Sequence, residues 1–132
     1  MLINSFHNVT LFEVAVGETE GEVSFDTGHG SATGCVSETG KLKVKQVSID
    51  KMVKEGTLPV PGYIKIDVEG GEINVLKDLQ NIIKSSRPKL LVATHNPECH
   101  TFVLDFLSKN KYSFTILNPD SIKGDTEIIA LP

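Results

Sequence analysis

Ile64-Lys65-Ile66-Asp67-Val68-Glu69-Gly70-Gly71-Glu72-Ile73-Asn74-Val75-Leu76-Lys77 carries two hydrophobic periods in one uninterrupted run. Tyr63 to Val68 is rich in β-formers and reads as a strand whose last residues are acidic. Gly70-Gly71 marks a sharp turn. From Glu72 to Lys84 the apolar residues Ile73, Leu76, Leu79, Ile82 and Ile83 recur at helical spacing, with acidic residues early and Lys84 late, as the helix dipole favours. A strand that turns straight into an amphipathic helix is the unit from which α/β sheets are built.

Working outward toward the C-terminus, Pro88 ends the helical pattern. Lys89-Leu90-Leu91-Val92-Ala93-Thr94 then reads as a central parallel strand covered on both faces. Asn96 is placed to cap a second helix and Pro97 suits its first position, after which Phe102, Val103, Phe106 and Leu107 form an apolar stripe up to Asn110. Tyr112 to Leu117 and Glu127 to Leu131 read as two further strands, joined through a polar turn containing Asn118-Pro119-Asp120 and expected to pair antiparallel at the C-terminal end of the sheet.

Toward the N-terminus, Ser48 is placed to cap a short helix from Ile49 to about Glu55, ended by Gly56. Lys41 to Val47 alternates strictly, with Leu42 and Val44 opposite three lysines, and reads as a strand at a solvated edge. Residues Asp26 to Gly40 read as a long loop. Glu22-Val23-Ser24-Phe25 reads as a half-buried strand in a hairpin with Val9 to Val16, which is apolar on both faces and so is expected to be a largely buried strand.

The 132 residues, 39% hydrophobic and 23% charged, suit one globular domain. Thirteen Lys+Arg against 17 Asp+Glu leave a net charge of −4, which supplies no basic field for a nucleic-acid backbone. No apolar run approaches the roughly 20 residues of a membrane helix. Met1-Leu2-Ile3 runs at once into Asn4 and Ser5 without the pattern of a secretory signal, and two cysteines do not make a disulfide scaffold, so a reduced, cytoplasmic setting is expected.

Ligands of open α/β sheets collect beyond the carboxyl ends of the strands. Two strand ends here are polar. Asp67-Val68-Glu69-Gly70-Gly71 offers two carboxylates that can act as a base, bind a cation or hold a substrate hydroxyl, or can equally serve as a helix cap and an acceptor for nearby amides. Thr94-His95-Asn96-Pro97-Glu98-Cys99-His100 places an imidazole at the next strand end, and by position His95 is the general-base candidate. His95, Cys99 and His100 as zinc ligands have weak spacing, because His95 precedes the helix, and no metal is expected. Gly28 to Gly34 lacks the Lys-Ser or Lys-Thr and the following helix of a phosphate loop. Neither Ser31 nor Ser37 stands in a nucleophile elbow.

The Lys65-Ile66-Asp67-Val68-Glu69-Gly70 element, with its flanks, resembles the signature of FkbM-type S-adenosylmethionine-dependent methyltransferases. Asn8 to Phe25 is similar to the family's Asn-Val-Thr, Ala-Val-Gly and Gly-x-Val-x-Phe stretch. Val47-Ser48-Ile49-Asp50 resembles its helix start, and Arg87-Pro88-Lys89-Leu90-Leu91 its Arg-Pro lead-in to a strand. The resemblance covers nearly the whole chain. It implies a Rossmann-like sheet, S-adenosylmethionine as cofactor, and O-methylation of a small-molecule or sugar hydroxyl. By matching, Ala15 lies near the position that flanks the adenine, Asp67 and Glu69 face the transferred methyl group, and His95 stands at the neighbouring strand end.

Two departures qualify the resemblance. The family's cofactor glycine loop and the acidic end of its second strand would precede Asn8, where only seven residues stand, so the chain reads as the C-terminal portion of the domain, a truncated sheet. Ala93 stands where the family commonly has Glu. Loss of the two strands that lie beside Tyr63 to Val68 would leave Ile64 and Ile66 on an open edge, which predicts either a homodimer or re-pairing with Val9 to Val16. A noncatalytic interaction module and a metal-dependent hydrolase using Asp67, Glu69, His95 and Cys99 are the competing readings.

Overall fold

The computed structural model describes residues 7–28, 33–121 and 125–132. Its elements are β1 (Ala15–Val16), β2 (Gly21–Asp26), β3 (Cys35–Val36), β4 (Leu42–Val47), α1 (Ile49–Lys54), β5 (Tyr63–Ile66), α2 (Glu72–Asp78), α3 (Gln80–Ser85), β6 (Lys89–His95), α4 (Pro97–Lys109), β7 (Ser113–Ile116) and β8 (Asp125–Leu131). They form two mixed four-stranded sheets, ordered β1-β4-β2-β3 and β5-β6-β8-β7, where a single truncated sheet is the expectation from sequence. The C-terminal antiparallel pair is present, with Phe114 opposite Ala130.

The second sheet holds the core. β5 and β6 run parallel with Ile64 opposite Leu90 and Ile66 opposite Val92, and β6 then pairs antiparallel with β8. Ile66, Leu76, Leu79, Ile83, Leu90, Val92, Val103, Leu107 and Ile128 are all at most 3% exposed and form one cluster between the sheet and its helices. The expectation that β6 is covered on both faces is corrected here. Along β6 and β8 burial alternates strictly, so among the described residues one face of the sheet is covered while Leu91, Ala93 and Ile129 stand at least partly open. An apolar run is compatible with two-sided cover but does not create the second layer.

The N-terminal sheet departs most from its sequence pattern. Val9, Leu11 and Phe12 are 51%, 74% and 44% exposed, and the strand begins only at Ala15. No hairpin joins β1 to β2: β1 pairs parallel with β4, while β2 pairs antiparallel with β4 and β3. The segment Lys41 to Val47 is therefore an inner strand rather than an edge. Its lysines stay solvated because that face carries no covering layer among the described residues, with Lys43 Nζ donating to Ser24 Oγ at 2.6 Å. The expected Asp26 to Gly40 loop contains the short β3, and its residues 29–32 lie outside the described residues. Re-pairing of Val9 to Val16 onto β5 does not occur; β5 stays the outer strand, with Ile66 2% exposed and Ile64 partly covered.

The helix expected over Glu72 to Lys84 is interrupted at Leu79. The cause is long-range. Asp50 of α1 accepts from Asn81 N at 2.7 Å and Ile82 N at 2.9 Å, amides that a continuous helix would turn toward the carbonyls four residues back. Asp78 reciprocates, accepting from Ser48 Oγ at 2.5 Å and Ile49 N at 2.6 Å. Asp50 of α1 thus caps the start of α3, while Asp78 at the end of α2 ties down the start of α1, whose own cap is Ser48. Replacing Asp50 by alanine removes two acceptors from one helix start, and we expect urea denaturation to show a loss of about 1 kcal/mol with unchanged slope.

Candidate functional site

The parallel register of β5 and β6 brings their carboxyl ends side by side, Asp67 following Ile66 and His95 closing β6. Between β5 and α2 the chain reverses through Glu69 at φ 50° and Gly70 at φ 97°. Only glycine adopts the second of these without strain, and a Cβ there would also stand 3.5 Å from Asn96 Nδ2. Glu69 in the left-handed region costs of order 1 kcal/mol and directs its carboxylate over the strand ends. On the other side Asn96 Oδ1 accepts from Cys99 N at 2.8 Å and Pro97 opens α4, as the sequence pattern requires.

These turns collect four ionisable side chains. His95 Nδ1 is 2.7 Å from Glu72 Oε1. Its Nε2 faces Asp67 Oδ1 at 3.4 Å and Glu69 Oε1 at 3.5 Å. Asp67 Oδ2 accepts from Lys65 Nζ at 2.8 Å, and this bond first, then the two groups' charges, holds the Asp67 carboxyl below its ordinary range against some desolvation. For His95 desolvation is the largest influence and disfavours the cation, but the Glu72 hydrogen bond and the charges of Glu69, Glu72 and Asp67 together outweigh it and raise the imidazole above its ordinary value.

Glu72 is the residue that reading the sequence missed, taking it only as an acidic helix start. Its side chain is fully buried. Oε1 also accepts from Gly70 N at 3.0 Å, while Oε2 has no hydrogen-bond partner among the described residues. Desolvation pushes its carboxyl up, and the neighbouring Cys99 thiol, His95 and the Gly70 amide more than offset it, so the carboxylate form is favoured. The signal was available: a residue in the first turn of a helix points its Cβ back toward the preceding strand end.

Cys99 is 2% exposed, with its Sγ directed at Gly70 O at 3.4 Å. Burial, then the adjacent Glu72 carboxylate, pushes its thiol up to about 11, so the free group is not a thiolate nucleophile at neutral pH. His100 turns away to Thr126 Oγ1 at 2.7 Å. The zinc set His95, Cys99 and His100 is therefore not assembled, and Cys99 drops out of the metal-hydrolase set. The remaining Asp67, Glu69 and His95 present ligand atoms within 4.8 Å of one another and are the residues that could hold a cation. In native protein a thiol reagent should modify Cys35, which is partly exposed, and spare Cys99 until denaturant is added; prompt labelling of both would contradict this burial.

Beside this cluster lies a cleft of about 250 Å³ lined by Ala15, Gln46, Asp67, Val68, Asn74 and Val75. Ala15 and Asp67 thus meet in one hollow, while Glu69 and His95 are not part of its lining. A second hollow of about 360 Å³ separates β1 from the free edge of β5 and is walled by Val16, Leu58, Pro59, Ile64 and Ile66. Ser37 bonds to Thr39 Oγ1 at 3.1 Å, on the exposed surface, and Ser31 lies outside the described residues. No helix among the described residues is long and apolar enough to cross a membrane.

Residues 3–114 match the family described as the methyltransferase FkbM domain. The chain is 34% identical over 109 residues to hexuronic acid methyltransferase AglP of Haloferax volcanii, a match covering 80% of this chain and 45% of that protein. The fold is similar to that of a solved methyltransferase FkbM from Methylobacillus flagellatus, with TM-score 0.63 and 20% identity, over 89% of this chain and 27% of that one. The chain therefore spans about half the length of the curated relative it matches.

Proposed function

The chain belongs to the FkbM methyltransferase family, and from that premise we propose that it serves S-adenosylmethionine-dependent O-methylation of a small molecule, with a sugar or sugar acid as the acceptor class. The observation that carries this reading is the convergence of Asp67, Glu69 and His95 at adjoining ends of β5 and β6. The similarity to the hexuronic acid methyltransferase of Haloferax volcanii supports a sugar-acid acceptor.

The cleft beside the cluster fits one part of the cofactor. Ala15, Val68 and Val75 give apolar walls suited to a flat ring, and Asn74 and Gln46 offer amide groups suited to its polar edge. Bound S-adenosylmethionine supplies an electrophilic methyl group carried on a sulfonium. The acceptor hydroxyl must approach in line and lose its proton, so positioning and a base are what the protein contributes. His95 Nε2 takes that proton. Asp67 and Glu69 accept hydrogen bonds from the hydroxyls that neighbour the reacting one on a sugar, and their negative charges favour the imidazolium that forms.

Calorimetric titration of the 132-residue chain with S-adenosylmethionine and S-adenosylhomocysteine tests the cofactor half of this reading. We expect saturable binding detectable at millimolar dissociation constants, roughly −4 kcal/mol. Absence of heat at those concentrations would favour a noncatalytic module that shares the family's fold. We also propose that two copies associate through the free edge of β5; light scattering should then report twice the 14.4 kDa of the chain, and a monodisperse single mass would refute it.

A further inference from the structure

We infer that Glu72 is a positioning residue that fixes the His95 imidazole in one tautomer, proton on Nδ1, and so leaves Nε2 open toward Asp67 and Glu69. The argument begins with burial. A carboxylate with no exposed surface is costly unless its oxygens are bonded, and the one ion pair of Glu72 among the described residues is His95 at 2.7 Å. An ionised carboxylate only accepts, so Nδ1 must donate, and in the neutral ring Nε2 is then the unprotonated nitrogen.

The far side of the ring agrees. Nε2 lies 3.4 Å and 3.5 Å from the two facing carboxylate oxygens, longer than a well-formed N–H···O bond, so Nε2 is not committed as a donor there. A second bond, from Gly70 N to Glu72 Oε1 at 3.0 Å, ties the same oxygen to the turn between β5 and α2. The tautomer is thereby coupled to the loop that carries Glu69. The charged groups that act on the ring are Asp67 and Glu69 from the β5 end and Glu72 from α2; Cys99 of α4 lies against Glu72, and Asp125 stands opposite His95 in the register of β8.

The consequence for methyl transfer rests on His95 being the proton acceptor; the tautomer itself does not. Imidazole nitrogen chemical shifts and long-range couplings, recorded on the 132-residue chain across about pH 5–9, read it directly. We expect a pyrrole-type Nδ1 and a pyridine-type Nε2 in the neutral ring, with the His95 midpoint above its ordinary 6.5. Glu72→Gln should keep that tautomer, because the amide oxygen still accepts, but should move the midpoint down. Glu72→Leu should release the ring toward the Nε2–H form, and where turnover is measured should lower kcat with little change in KM.

A pyridine-type Nδ1 in the unmodified chain overturns the assignment, whether or not any variant folds. Failure of the tautomer leaves the methyl-transfer reading in need of another base, whereas failure to bind S-adenosylmethionine leaves the Glu72–His95 pair untouched, so the two results are separable.

Discussion

His95→Gln should lower the rate of methyl transfer by roughly 10²–10⁴-fold, the contribution of a positioned general base, and, because it removes the ionic partner of the buried Glu72, should also lower the urea midpoint, so the rates are compared on folded protein. Glutamine keeps a polar side chain of similar reach at the strand end but cannot take up the hydroxyl proton. The pH profile gives the sharper test. A base works when unprotonated, so the unmodified protein should gain rate as pH rises through the His95 midpoint, which lies above the ordinary 6.5, and His95→Gln should lose that inflection. Asp67→Asn combined with Glu69→Gln should also abolish turnover, and the His95 midpoint, read by nuclear magnetic resonance, should move down because two of the charges that favour the imidazolium are gone. A double variant that turns over normally would place the chemistry elsewhere on the protein.

The same pair links pH to stability in opposite directions. His95 is raised in the fold, so its contribution is fully present below its unfolded value near 6.5 and is lost as pH rises through the folded midpoint. Glu72 is lowered, so its contribution is present above its ordinary 4.5 and is lost as pH falls through the folded value. The two contributions coincide between about pH 4.5 and 6.5, where the pair should stabilise the fold most.

Leu76→Ala should be strongly damaging, at about 2–5 kcal/mol against a total stability of roughly 5–15 kcal/mol for a domain of this kind. Leu76 is 0% exposed on α2, inside the cluster that includes Ile66, Leu90 and Val92. The loss combines lost burial with a cavity that rigid neighbours cannot fill. Leu11→Ala is the matched control. Leu11 sits in an equally apolar stretch of sequence yet is 74% exposed, and its truncation should change stability by no more than about 0.5 kcal/mol. Paired urea titrations decide it: similar losses from both variants would mean that residues 9–14 are packed after all.

The elements around the site were legible because their signals are local. Ser48 and Asn96 cap as their side chains predict, Pro97 opens α4, and glycine stands at position 70 where φ is positive. The signature around Asp67 lies within residues 3–114, which match the family. Sequence likewise identified Asp67, Glu69 and His95 as strand-end residues, and the parallel register of β5 and β6 sets them within reach of one another.

Where sequence reading failed, the deciding partner was distant along the chain. The break at Leu79 comes from Asp50, some thirty residues earlier, and an intact helical period over Glu72 to Lys84 carries no trace of it. The pairing of β1 with β4 rather than β2, and the exposure of Val9 and Leu11, depend on which backbone donors and acceptors lie alongside, which alternation of side chains does not encode. Glu72 shows both sides at once. Its place at a helix start was evident, but its role beside His95 arises only because burial removes water and leaves the imidazole as its ionic partner. Local sequence therefore determined most of the elements around the site, their caps and the polar strand ends; the division into two sheets, the interrupted helix and the Glu72–His95 pair were decided by tertiary contacts, since hydrogen-bond partners and desolvation are set by neighbours in space.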